Sequence, residues 1–310
     1  MKILFTGGSS FTGYWFCQRL LEKGHKVVGL LTQKRTSYEG IKKERIEKLS
    51  SFMEFIEEAP FGSERMLNLF KNNSFDVLCH HGAHVKDYKS EQFDWLYALE
   101  TNTKNIKEVF HLSKEQGLGA IILTGSVFEQ NEGIGNMPLK AFSPYGLSKG
   151  LTSEVFRYYA ERYGIPLGKF VIPNPFGMFE EKRFTFYLIS NWKRENIPVV
   201  QTPNYIRDNI PCDLLASCYC RFVETVFVQR KAFYRSNPSC FIEPQGTFAL
   251  RLSKEVGKRT GLSCPVELKE QKSYTEPIVR VNTEPAIFEV PNWSEERFWD
   301  DYVAYALENY

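Results

Sequence analysis

The 310-residue sequence predicts an α/β protein, a parallel sheet with helices on both faces. Three observations carry that prediction. Short apolar, β-rich runs alternate with helical segments through the first half of the chain, the rhythm of a parallel sheet. The first such run ends in a glycine-rich turn, Thr6-Gly7-Gly8-Ser9-Ser10-Phe11-Thr12-Gly13, which opens a helix. After Pro173 the rhythm stops, and prolines, aromatics and short segments follow, as in a second and smaller part. With 43% hydrophobic and 25% charged residues, disorder is excluded as the main theme. Lys+Arg 39 against Asp+Glu 37 leaves no global field for nucleic acid or an anionic membrane, so an anion site must be local.

The elements follow in order. Lys2 to Phe5 is the first strand. A helix from about Gly13 to Lys23 stops at Gly24, a natural C-cap. Lys26 to Leu31 is the second strand, Gln33 to Ser51 a polar loop with a helix, and Phe52 to Ile56 a weaker strand. Ser63 caps a helix to about Asn72. Asp76 to His80 is a strand, Glu91 to Glu115 one long helix, and Ala120 to Thr124 an apolar strand. Pro144 to Tyr163 is a second long helix and Gly168 to Ile172 a further strand. Asn174 to Pro211 reads as irregular. Asp213 to Val226 is a helix, and Ala232 to Arg235 a strand returning to the sheet. Ser294 caps the last helix, with Glu295 and Glu296 in its first turn, where carboxylates suit the helix dipole.

No apolar run reaches membrane-spanning length, and the N-terminus turns to glycine too early for a signal peptide; a cytoplasmic protein is expected. The seven cysteines are odd in number, scattered and without a CxxC pair, so they read as reduced thiols. The five histidines show no ligand spacing, and no metal is expected.

The glycine turn has the context of a phosphate-binding loop. Gly7 permits the sharp turn, Gly13 permits close helix–strand packing, and the helix N-terminus from Ser9 through Ser10, Phe11 and Thr12 faces the anion. Ser10 stands where a middle glycine is usual; its hydroxyl can bond a phosphate oxygen. The acid that would bind a ribose 2′-hydroxyl falls on Leu31, with Thr32, Lys34 and Arg35 beyond it. A missing carboxylate and two cations favour NADP, with NAD the alternative.

Tyr145 and Lys149 form YxxxK at the start of a helix, so they share one face. The ammonium stabilises a phenolate. Bringing a phenol from a pKa of about 10 to about 7 needs roughly 4 kcal/mol. Tyr38 and Lys42 repeat the spacing in a polar loop and receive no role. Thr124 and Ser126 end the apolar strand, where hydroxyls face the ligand crevice of a parallel sheet.

Taken together these pieces resemble the extended short-chain dehydrogenase/reductases of the NAD-dependent epimerase/dehydratase family, nucleotide-sugar branch. The matching segments are the Thr6–Gly13 turn, Asp76 to Ala83, Asn102, Thr124-x-x-Val127-Phe128, Tyr145-x-x-x-Lys149, Pro173 to Gly177 and Arg207 to Ala216. The resemblance implies a Rossmann-type doubly wound sheet with a smaller C-terminal α+β substrate-binding lobe. Residues 1–173, with about 208–240 returning to the sheet, would bind the dinucleotide; 174–207 and 241–310 would form the lobe. It implies Thr124 as hydroxyl donor, Tyr145 as acid/base, Lys149 as anchor of phenolate and ribose, and Asn102 near a water relay. Ala83 and Pro173 would join the cofactor site. Asn174 and Arg207 would hold a diphosphate, with Asp208 supporting Arg207, and His84 and Ser126 would face the sugar. Gly125-Ser126 stands where dehydratases carry Asp-Glu, which disfavours loss of water. The expected activity is hydride transfer at a ring carbon of a nucleoside-diphosphate sugar, a 4-ketoreductase ahead of a 4-epimerase with tightly bound NAD. A non-catalytic dinucleotide-binding sensor or scaffold is the rival of another class. A homodimer through the two long helices is expected.

Overall fold

The computed structural model describes residues 1–310. Strand β1 (Lys2–Thr6) leads into α1 (Phe11–Glu22), then β2 (Lys26–Leu30), α2 (Gly40–Ser50), β3 (Glu54–Ile56), α3 (Glu64–Asn72) and β4 (Val77–His80). Next come α4 (Trp95–Asn102), α5 (Ile106–Glu115), β5 (Ala120–Ser126), α6 (Pro144–Tyr163) and β6 (Leu167–Ile172). The remainder holds β7 (Asn174–Phe176), α7 (Phe184–Trp192), β8 (Ile206–Pro211), α8 (Cys212–Gln229), β9 (Phe233–Ser236), β10 (Phe241–Pro244), α9 (Gln245–Thr260), β11 (Arg280–Val281) and α10 (Glu295–Asn309).

Two compact units divide the chain. The first comprises Met1–Glu132, Lys140–Ile172 and Ala216–Asn237. Its seven parallel strands lie in the order β9-β6-β5-β4-β1-β2-β3, a Rossmann-type doubly wound sheet. The strand order reverses where β1 meets β4, so the crevice beyond their carboxyl ends is the ligand position of such sheets. One face buries Leu4, Leu78, Ile121 and Leu123 against Phe110 of α5 and Phe156 of α6. The other packs Phe16 of α1, Phe170 of β6 and Tyr219 of α8, with the Phe16 and Tyr219 rings stacked at 3.9 Å.

The single helix expected over Glu91–Glu115 is two helices. Asn105 between them takes a left-handed backbone, φ 50°, and its Nδ2 donates to Gly62 O at 2.8 Å. A short polar side chain that bonds backbone locally tolerates this conformation, and apolar periodicity carries no sign of it. Ser63 does cap α3, accepting from Met66 N at 3.3 Å.

The second unit comprises Gly133–Leu139, Pro173–Leu215 and Pro238–Tyr310. Its three-stranded sheet runs β10-β8-β7, antiparallel between β8 and β10 and parallel between β8 and β7. The stretch expected to be irregular thus holds β7, α7 and β8. Their apolar positions meet in an aromatic core: Phe176 lies within 6.3 Å, centroid to centroid, of Phe241, Phe248, Phe298, Trp299 and Tyr302. Ser294 caps α10, accepting from Arg297 N at 3.3 Å. No helix is long and apolar enough to cross a membrane, and no disulfide joins any of the seven cysteines.

Candidate active site

The turn after β1 is built on close approach. Gly7 has φ +81°, and a Cβ there would lie 2.7 Å from Gly82 N, in the loop after β4. A Cβ on Gly13 would lie 2.1 Å from Gly7 O. Ser10 holds the turn closed: its hydroxyl donates to Gly7 O at 2.8 Å and accepts from Gly13 N at 3.1 Å. That hydroxyl hydrogen is therefore turned into the loop and not toward a phosphate. Bare glycine backbone and the start of α1 still fit a dinucleotide pyrophosphate. Arg45 of α2 is fully buried and donates from Nη1 to Ser9 O at 3.2 Å. The polar composition of residues 33–51 concealed this cation behind the turn.

Beyond β2, Leu31 is buried and Thr32 Oγ1 lies 3.2 Å from the Tyr38 hydroxyl. Lys34 is exposed. Arg35 lies over the Phe55 ring and faces Glu57 at 3.5 Å. The carboxylate of Glu57, from the end of the neighbouring strand, is a feature that local spacing could not show.

Ser143 accepts from Gly146 N at 3.0 Å, and Pro144 is the first helical residue; together they start α6 so that Tyr145 and Lys149 share its first turns. Lys149 is buried and donates from Nζ to the Thr124 carbonyl at 2.6 Å, tying α6 to the end of β5. Burial lowers its pKa to about 8; the Glu129 carboxylate opposes that shift and Lys169 adds to it. Glu129 is itself buried, receives Ser126 N at 2.7 Å and pairs with Lys169 at 2.6 Å. Lys169 also pairs with buried Glu132 at 2.7 Å. Tyr145 meets the rings of Tyr88 and Phe93 edge-on, at 5.4 and 5.9 Å. Ser126 Oγ accepts from Phe128 N at 3.2 Å.

Thr124 is buried, with Oγ1 3.0 Å from His81 Nδ1. Asn102, at the end of α4, accepts from His84 N at 2.9 Å and donates to Thr152 Oγ1 at 3.4 Å. It thereby braces the loop carrying Ala83 and His84 against α6. The His84 ring packs on Phe93 and Tyr97. Sequence reading passed over His81 and Glu129, whose partners lie far along the chain or in an adjacent turn. It also passed over His25, Cys220 and Glu224, whose ligand atoms lie within 4.8 Å of one another.

In the second unit, Arg207 of β8 is held by Glu276 at 2.9 Å and by the carbonyls of Pro277 and Ile278, and it lies over the Tyr205 ring. Asp208 does not support Arg207 as expected. Its carboxylate accepts from Cys240 N at 2.8 Å and Asn282 N at 3.2 Å, because successive residues of a strand point to opposite faces. Burial raises the pKa of Asp208 to about 6 against those two bonds. Pro173 precedes β7, and Asn174 pairs with Asn209. Arg280 of β11 is a second buried arginine of this unit, unnoticed in the sequence.

Residues 3–231 match the model of the NAD dependent epimerase/dehydratase family, and the chain belongs to that enzyme family. No curated protein matches it in sequence. Among solved structures it is similar to a tyrosine-to-phenylalanine variant of UDP-glucuronic acid 4-epimerase from Bacillus cereus, in complex with UDP-4-deoxy-4-fluoro-glucuronic acid and NAD. That match has 19% identity and TM-score 0.79 and covers 100% of both chains. It is also similar to UDP-glucose-4-epimerase from Stenotrophomonas maltophila with bound NAD and formylated UDP-arabinopyranose, at 17% identity and TM-score 0.77, covering 99% of this chain and 98% of that one. Pal from Bacillus thuringiensis matches at 17% identity and TM-score 0.75, over 99% of both chains. At these identities the likeness establishes the fold.

Proposed function

We propose that the chain is a nucleoside-diphosphate-sugar 4-epimerase using NAD. The observation that carries the reading is Lys149 Nζ on the Thr124 carbonyl at 2.6 Å, which joins YxxxK to the hydroxyl-bearing strand end. Bound NAD supplies a hydride acceptor that can return the hydride. The residues present supply the rest. Tyr145 takes the proton of the sugar hydroxyl and gives it back. Lys149 holds the phenolate by its charge. Thr124 donates a hydrogen bond to the sugar oxygen. Two of the structural neighbours named above are UDP-sugar 4-epimerases, which supports a UDP-sugar as the first substrate to try.

The pairing of Arg35 with Glu57 supports NAD over NADP: a carboxylate beside that arginine repels a 2′-phosphate. The 4-ketoreductase with NADP comes second, and it rests on Leu31 standing where a ribose-binding acid would be. The deciding experiment incubates the purified protein with UDP-sugars and follows the 4-epimer by NMR. Epimer formed without added reductant supports the epimerase. Consumption of NADPH with a 4-keto sugar, and no epimer, supports the reductase.

A further inference from the structure

One cluster of metal-ligating side chains lies in the first unit, away from the candidate active site. His25 stands in the turn between α1 and β2, just before Lys26 opens β2, whereas the candidate active site lies beyond the carboxyl ends of the strands. The end of α1 fixes its place. Gly24, at φ +80°, donates from its amide to Leu21 O at 2.9 Å, and His25 N donates to Leu20 O at 3.1 Å, the paired bonds of a helix C-terminal cap. Cys220 and Glu224 lie one turn apart on α8 and so share a face. His25 Nε2 lies 3.0 Å from Glu224 Oε1, and the ligand atoms of all three residues fall within 4.8 Å of one another. Cys220 is 1% exposed, with no hydrogen-bond partner for its thiol. The His25 side chain is 10% exposed and that of Glu224 41%, so the cluster is closed on the protein side and reached from solvent past Glu224.

An imidazole nitrogen, a thiolate and a carboxylate are donor types of zinc, and tetrahedral bonds of about 2.0–2.3 Å put such donors about 3.3–3.6 Å apart. Small side-chain rotations bring these three to that spacing. Thiolate and carboxylate balance the charge of a divalent ion, and water takes the fourth position. On the far side of the ring, Nδ1 lies 3.3 Å from the Met1 amino nitrogen. With an ammonium donating there, the ring hydrogen sits on Nε2 and faces Glu224. The cation replaces that hydrogen, Met1 passes one of its own to Nδ1, and the Cys220 thiol loses its proton; both displaced protons go to water. Nδ1–H then donates to the Met1 amine, the kind of outer contact that orients a metal-bound histidine.

We propose that His25, Cys220 and Glu224 form a site for one divalent cation of the zinc class, which pins α8 to the turn between α1 and β2. His25 and Glu224 are 199 positions apart, so the clip closes a long loop and fastens the chain returning from the second unit to the start of the first strands. That separation also kept the ligand set out of any local sequence pattern. The site does not depend on the proposed epimerase activity, and its test needs no turnover. Co2+ is the probe, added to the full chain under reducing conditions after EDTA treatment. The expected result is a thiolate-to-cobalt charge-transfer band that saturates at one ion per chain and bleaches when Zn2+ is added. Cys220→Ser should abolish the band, whereas Cys240→Ser should keep it. His25→Gln and Glu224→Gln should each weaken Zn2+ binding, read by competition with a chelating dye, by at least the roughly 10–100-fold that loss of an outer contact costs. Zn2+ should raise the melting temperature of the wild type and not that of His25→Gln at the same concentration. No charge-transfer band in the wild type, a band that survives in Cys220→Ser, or unchanged Zn2+ affinity in His25→Gln and Glu224→Gln overturns the proposal. If Cys220→Ser does not fold, the affinities of the other two variants, altered nearer the solvent, decide it.

Discussion

Tyr145, Lys149 and Thr124 make the function testable at single positions. Tyr145→Phe removes the proposed proton carrier, and kcat is expected to fall by about 10²–10⁴-fold with dinucleotide affinity little changed. Wild-type turnover in that variant would remove Tyr145 from the mechanism. Lys149, whose pKa burial lowers to about 8, acts as the ammonium in the proposed mechanism. That form is present below pH 8 and is lost as pH rises through it, so kcat/KM, which reports the free enzyme, is expected to decline on the alkaline side with a midpoint near 8. A profile flat to pH 10 would contradict the assignment. Tyr145 and Lys149 were legible in the sequence because four residues of helix bring them together. His81 was not, because its partners Ser10, Thr12 and Thr124 come from other elements, joined only when β1, β4 and β5 lie side by side. Glu57 beside Arg35 escaped for the same reason.

Among the elements, the glycine turn and the strand–helix alternation were legible because each is a local pattern, a fixed period bounded by caps such as Ser63 and Ser294. The break between α4 and α5 was not, since it depends on one backbone angle and on Gly62, a residue 43 positions away in sequence. Asn105→Ala forces an ordinary side chain into the left-handed region and deletes the bond to Gly62 O. The expected cost is about 1–3 kcal/mol in denaturant unfolding, with Asn105→Gly costing less because only the bond is lost. Equal stability of all three proteins would show that the break is not held by Asn105. The irregular reading of 174–211 failed because β7 and β8 are short and pair with each other, and such strands carry too few residues to show alternation.

For the molecule as a whole, stability and assembly give two expectations. Glu180 is buried in the second unit and accepts hydrogen bonds from Thr185, Tyr302 and Tyr310. Burial outweighs these donors and raises its pKa to about 7. A carboxyl whose folded pKa exceeds its unfolded value is least costly when protonated in both states. Its contribution is therefore lost as pH rises from about 4.5 through 7, by up to about 3 kcal/mol. Glu180→Gln keeps an acceptor without the charge, so its melting temperature should exceed that of the wild type at pH 8 and converge with it near pH 4.5. A constant difference across that range would show that Glu180 does not titrate with folding. Trp95, Leu96 and Tyr97 of α4 and Tyr158 of α6 are exposed, and we propose that these helices pair two copies of the chain. Light scattering at micromolar concentration should give twice the mass of 36.0 kDa, and Leu96→Glu with Tyr158→Glu should return it to the monomer.

The buried grouping of Glu129, Lys169 and Glu132 has a consequence for how such a chain can change over generations. Its two carboxylates share the single Lys169 ammonium beneath the end of β5, and replacing Lys169 leaves two carboxylates without that counterpart in a place water does not reach. Breaking a buried pair in this way costs about 3–5 kcal/mol, a large share of what a domain has to spare. Lys169 is therefore not free to change alone: a lineage can exchange it together with both carboxylates for apolar residues, or keep it, but the single step at Lys169 is closed. Since Glu129 also holds the amide of Ser126 and acts on Lys149, the constraint at Lys169 reaches the candidate active site.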